Sequence, residues 1–204
     1  MKKTRIRLSL FSLVLALVLF GLTIRLTGRD PLVVYWSILT GSFGSTKSFL
    51  NVLAYMLPLI MTGLGAAVAF QSGVFNIGGE GQVLIGGLAA AACMICLAGK
   101  LPNALVILLM IVTSLAAGAI WGLIPAFFKA KWNTNETLST LMMNYIATQL
   151  VAFYTIVWEV PKGSGKIGII NQNTNVGWLP QIFGSKYLLS IVVAVVITIF
   201  MYVY

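Results

Sequence analysis

Between Lys47 and Lys100 the chain carries a single charge, Glu80. About 20 helical residues suffice to cross the hydrocarbon core of a bilayer, so a stretch this long cannot be one crossing. The chain must turn back within it, and the turn must satisfy its own backbone N–H and C=O groups away from water. The middle of the stretch, Phe70 to Gln82, reads FQSGVFNIGGEGQ. Ser72, Gly73, Asn76, Gly78, Gly79 and Gly81 supply turn chemistry there. The pattern predicts a broken helix holding one carboxylate deep in a membrane protein, where a transporter would place its pathway.

Composition agrees. The chain is 59% hydrophobic and 8% charged, with a mean hydropathy of +0.99. A soluble domain has about 25% charged residues. The net charge of +9 comes from basic residues spread over short polar segments between apolar runs. They suit lipid headgroups and water rather than nucleic acid. Histidine is absent, which removes the commonest general base and metal ligand. The acids are Asp30, Glu80, Glu136 and Glu159, a poor basis for paired-carboxylate hydrolysis. No metal site is expected. Cys93 and Cys96 form a CxxC inside an apolar run, read as two small hydrophobes on one helix face rather than as redox or metal chemistry.

The expected fold class is all-α: one polytopic transmembrane helical bundle over residues 1–204, with a broken-helix hairpin. Spans are expected at 8–27, 49–70, 81–99, 104–128, 137–158 and 187–204. The first follows a basic start (Lys2, Lys3, Arg5, Arg7) and lacks a small-x-small cleavage site, so it reads as an uncleaved span. Residues 28–47 read as a polar connection with an interfacial aromatic belt of Tyr35, Trp36 and Phe43. Pro58 falls inside the second span, where neighbours must satisfy the freed carbonyl. Ser114, Gly118 and Gly122 recur every four residues in the fourth, a small-residue stripe suited to close helix packing. Residues 159–186 form a long loop rich in Gly, Asn and Pro. The sixth apolar run has no polar closure, which predicts a piece of a longer protein. Lysines and arginines divide almost evenly between the two sides, so the orientation rests on the basic N-terminal cluster, which favours a cytoplasmic N-terminus.

Two segments are candidate sites. Phe75, Asn76, Gly78, Gly79, Glu80 and Gln82 surround the break and are candidate pathway residues. Asn76 is a good N-cap, placing Glu80 in the first helical turn, where the helix dipole favours a carboxylate. Glu80 then either anchors the helix or lines a path for polar solute; the residues alone leave both open. Asn135 and Glu136 read as the start of the fifth span, with Thr134 or Asn135 as cap. No GxxxxGK[ST] loop is present, so nucleotide energy, if used, comes from another chain.

These residues resemble a known family. FQSGVFNIGGEGQ followed by a small-residue helix is similar to the signature of ABC-importer permeases of the sugar and branched-chain amino-acid superfamily. Gly28-Arg29-Asp30-Pro31, the Ala126-to-Lys131 helix end, and Asn135-Glu136 leading into Ser139–Ala147 (STLMMNYIA) resemble its nucleoside branch. The resemblance spans nearly the whole chain. It implies a permease subunit without enzymatic activity or cofactor of its own, in a prokaryotic plasma membrane. It also implies three partners: a second permease, a cytoplasmic ATPase that binds ATP and Mg2+, and an extracytoplasmic solute-binding lipoprotein. An ATPase-contacting segment would follow the span that opens at Tyr187. Gln71 stands where the family commonly has a basic residue, and Thr137-Leu138 replaces a β-branched pair.

Three function classes remain. The first is an ABC permease for nucleosides, or for sugars as its alternative. Tyr55, Phe70, Phe75 and Trp121 can stack on a base, and aromatics also fill membrane cores. The second is an ion-coupled secondary transporter, which also uses broken helices. The third is a membrane-embedded enzyme or a purely structural protein, and no nucleophile–base pair supports the enzyme.

Overall fold

The computed structural model describes residues 2–71, 73, 75–180 and 188–203, with side chains described over 7–71, 73, 75–180 and 191–200. Ser72 of the expected turn, Lys186 and Tyr187 lie outside the described residues. Among the described residues the fold is all-α, with seven helices. They are α1 (Lys2–Leu26), α2 (Pro31–Phe43), α3 (Thr46–Gln71), α4 (Gly79–Cys96), α5 (Asn103–Trp132), α6 (Glu136–Val157) and α7 (Leu188–Val203). Five are long and apolar enough to cross a membrane: α1 from Arg7, α3, α4, α5 and α6. The described part of α7 is 16 residues and strongly apolar.

The chain divides into two units, Met1–Met56 and Leu57–Tyr204, with the boundary inside α3. In the first, the segment expected as a polar connection holds a 13-residue helix, α2. The Gly-Arg-Asp-Pro string builds its start. Gly28 takes the left-handed conformation (φ +80) that ends the preceding turn. The Asp30 carboxylate caps the new helix by accepting the Leu32 N–H at 2.9 Å. Pro31 supplies a pre-set φ at the first helical position. Thirteen helical residues are too few to span a bilayer core. The Tyr35 hydroxyl donates to the Leu17 carbonyl of α1, and its ring meets Phe20 at 6.0 Å.

In the second unit, α4 packs on both α5 and α6. Small residues let α4 and α5 approach closely: a methyl added to Gly86 would meet the Ser114 carbonyl and hydroxyl, both at 3.1 Å. Cys93 and Cys96 are free, and Cys93 Sγ lies 3.2 Å from Thr113 Oγ1. The third and fourth spans run differently from the expectation: α4 covers 79–96 and α5 extends to Trp132. Asn133, left-handed at φ 50, stops α5, its N–H bonded to the Lys129 carbonyl at 2.9 Å.

Large apolar side chains are exposed along much of α1, α3, α5 and α6, while the small buried set holds the polar Thr140 and Asn144 beside Leu57, Val106, Met143 and Ala147. An apolar surface of this extent suits lipid, in which polar groups must turn inward.

Candidate functional site

The break between α3 and α4 is stitched to one face of α6. Glu136, Thr140 and Asn144 follow at four-residue spacing, so they share that face. The Glu136 carboxylate accepts the Phe75 N–H at 3.1 Å. The Thr140 hydroxyl accepts the Ile77 N–H at 3.3 Å while donating to the Glu136 carbonyl at 2.8 Å. The Asn144 amide bonds twice: its Oδ1 accepts the Gly81 N–H at 2.8 Å, and its Nδ2 donates to the Ile77 carbonyl at 2.9 Å. These bonds give partners to backbone groups that the interruption between α3 and α4 leaves outside a helix ladder.

Asn76 is not the N-cap of α4. Gly78 holds that position and offers no side chain. Asn76 Oδ1 instead accepts the Gly78 N–H at 2.7 Å, closing an Asx turn one step earlier. Asn135, not Thr134, caps α6, its Oδ1 accepting the Leu138 N–H at 3.1 Å. Thr134 Oγ1 is buried and finds no partner among the described residues.

The six residues singled out at the break fall in four settings. Asn76, Gly79 and Glu80 line a groove of about 590 Å3, together with Ile77, Val83 and Leu84 and with Leu59, Thr62, Gly63 and Ala66 of α3. Glu80 is in the first turn of α4 and exposed. Gly78 is buried against Thr140, whose Cβ is 3.1 Å from where a methyl would stand. Phe75 is exposed and pairs with Phe70 at 5.4 Å. Gln82 turns to α5, its Nε2 2.6 Å from an added methyl at Gly122 and its carbonyl 3.4 Å from one at Gly118. Ser114, Gly118 and Gly122 thus form the face of α5 that α4 approaches.

Thr140 and Asn144 were legible only as part of a family string. A sharper signal was available, polar residues at four-residue spacing (Glu136, Thr140, Asn144 and Thr148) along one face of a membrane-length helix. Trp121 Nε1 is also buried with no partner among the described residues, 3.1 Å from an added methyl at Gly81. The groove is mostly apolar, and Glu80 is the one carboxylate among its lining residues. Among the described residues no three Cys, Asp or Glu side chains converge on a metal position.

Five potential membrane crossings and an interrupted helix beside a groove define a multi-pass membrane protein of transporter type. The chain belongs to the branched-chain amino acid transport system / permease component family, whose sequence pattern matches residues 48–203. It is similar to the guanosine ABC transporter permease of Bacillus subtilis, 32% identical over 95% of this chain and 56% of the relative. The glucose ABC transporter permease of Haloferax volcanii is 32% identical over 83% of this chain and 44% of the relative. The nucleoside ABC transporter permease of Lactococcus lactis is 26% identical over 98% and 57%. The chain therefore spans about half the length of these curated relatives. No solved structure matches it.

Proposed function

We propose that this chain is part of a permease subunit of an ATP-driven ABC importer for nucleosides, and that the groove beside Glu80 lies on the solute path. The observation that supports the path is the placement of Glu80, the one carboxylate among the residues that line the groove. Glu80 lines a groove of about 590 Å3 at a helix break where α6 side chains bond the Phe75, Ile77 and Gly81 N–H groups and the Ile77 carbonyl. A charged side chain is costly within a membrane and persists where it serves a polar route. The guanosine and nucleoside relatives, which align over nearly the whole chain, support the substrate class. The exposed Phe70–Phe75 pair offers ring faces to a base. The glucose relative supports a sugar as the second reading.

The same reading supplies the partners: a second permease, a cytoplasmic ATPase holding ATP and Mg2+, and an extracytoplasmic binding lipoprotein, with the N-terminus in the cytoplasm of a prokaryote. The test is uptake into cells expressing the full-length permease with its partner subunits. Labelled guanosine should accumulate, with glucose a poor competitor. Glu80→Gln should lower initial uptake about tenfold, the scale of one lost charge-assisted contact, at unchanged membrane content. Undiminished uptake by that variant would remove Glu80 from the path.

A further inference from the structure

An α-helix begins with four N–H groups lacking intrahelical partners. In α4 the local supply fails at its source, because Gly78 at the cap position has no side chain to offer. The Gly81 N–H is met instead by Asn144, 63 residues further along the chain. The same side chain holds the Ile77 carbonyl on the other side of the cap. One buried amide therefore grips the chain before and after Gly78, and Glu80 lies between the two gripped residues. Gly81 is pressed close, since even a methyl there would stand 2.8 Å from Asn144 Oδ1 and 3.2 Å from its Cα.

We propose that Asn144 is a positioning residue that sets where the Glu80 carboxylate enters the groove. This rests on the groove being the solute path. A primary amide suits the task because it presents a donor and an acceptor side by side. A carboxylate keeps the acceptor for Gly81 but sets a negative oxygen against the Ile77 carbonyl. A neutral carboxyl restores an O–H donor to that carbonyl. The titratable groups near this contact are Glu80, adjacent to Gly81, and Glu136, two turns earlier on α6. The Asn144 parent, measured at each pH, is the reference for every other pH-dependent group, including the thiol that replaces Glu80 in the test.

The experiment measures labelling of Glu80→Cys by a membrane-impermeant thiosulfonate, in the full-length permease with Cys93→Ala and Cys96→Ala. Rates are expressed relative to the Asn144 parent at the same pH and membrane content. Asn144→Asp should change the rate about tenfold at pH 8, the scale of one buried unmet partner. Burial and the facing Ile77 carbonyl favour the neutral carboxyl, so the rate should return toward the parent rate at pH 5. Asn144→Ser, which adds no charge, has one hydroxyl for two partners and should shift labelling about threefold at every pH. A carboxyl variant that matches the parent at pH 8, or a shift that acid does not reverse, overturns the proposal. Unaltered labelling of the serine variant overturns it as well. Protection of the introduced thiol by guanosine is scored separately. Its absence counts against the groove as the path and leaves the Asn144 geometry standing.

Discussion

A methyl added at Gly81 would stand 2.8 Å from Asn144 Oδ1, 3.1 Å from Trp121 Nε1 and 3.2 Å from the Asn144 Cα. Relief there requires α4 to move off α6 or α5. At Gly122 the nearest atom is closer still, 2.6 Å, but it is the amide nitrogen at the far end of the Gln82 side chain. A flexible end can swing aside. Gly81→Ala should therefore cost about 1–3 kcal/mol, the range for overpacking a tight site, and Gly122→Ala much less. Thermal unfolding of the two variants in detergent should show the larger loss at Gly81; equal losses would contradict this contact geometry. Gly118, with its nearest neighbour at 3.4 Å, accepts a methyl at ordinary contact distance.

The connection after α6 is tied down element by element. The Glu159 carboxylate accepts the Gly163 N–H at 2.6 Å and the Gly165 N–H at 2.9 Å. Those backbone bonds, with a smaller contribution from Lys162, hold its pKa below the ordinary carboxylate value. A depressed folded pKa contributes order that is complete above the ordinary value and is lost as pH falls through the folded one. NMR shifts of the Gly163 and Gly165 amides should thus titrate with a midpoint below that of a free glutamate side chain. Glu159→Gln should abolish the transition, and an ordinary midpoint would show that the two amides do not bind the carboxylate. Further along, the Asn171 Nδ2 donates to the Met94 carbonyl of α4 at 2.8 Å, and the Gly177 N–H donates to Asn103 Oδ1 of α5 at 2.7 Å. Residues 171–177 are therefore docked on α4 and α5, at the ends away from the break. Composition shows only a Gly-, Asn- and Pro-rich segment there, because its partners lie about 70 residues away in sequence.

At the scale of the whole molecule, exposed apolar helices around a few buried polar contacts identify lipid as the solvent. If the proposed ABC-importer function holds, transport draws on ATP, and uptake in cells with the proposed partner subunits should survive a protonophore that leaves ATP intact. It should fail when a catalytic residue of the ATPase partner is removed. Uptake abolished by the protonophore with ATP preserved would favour an ion-coupled carrier instead. The membrane class, the break near Asn76 and the first-turn place of Glu80 were legible from residue types alone. Charge is costly in hydrocarbon, and glycine and asparagine permit turns, at whatever distance the rest of the chain lies. The helix at Pro31–Phe43 was missed because its apolar and aromatic residues fit an irregular interfacial stretch as readily as a short helix. What tertiary structure alone decided is which groups satisfy the broken backbone. Asn76 looked like the cap by local rule, yet Gly78 takes the position and Asn144 supplies the bond from α6. A hydrogen bond needs only nearness in space, and folding alone brings residues 81 and 144 together.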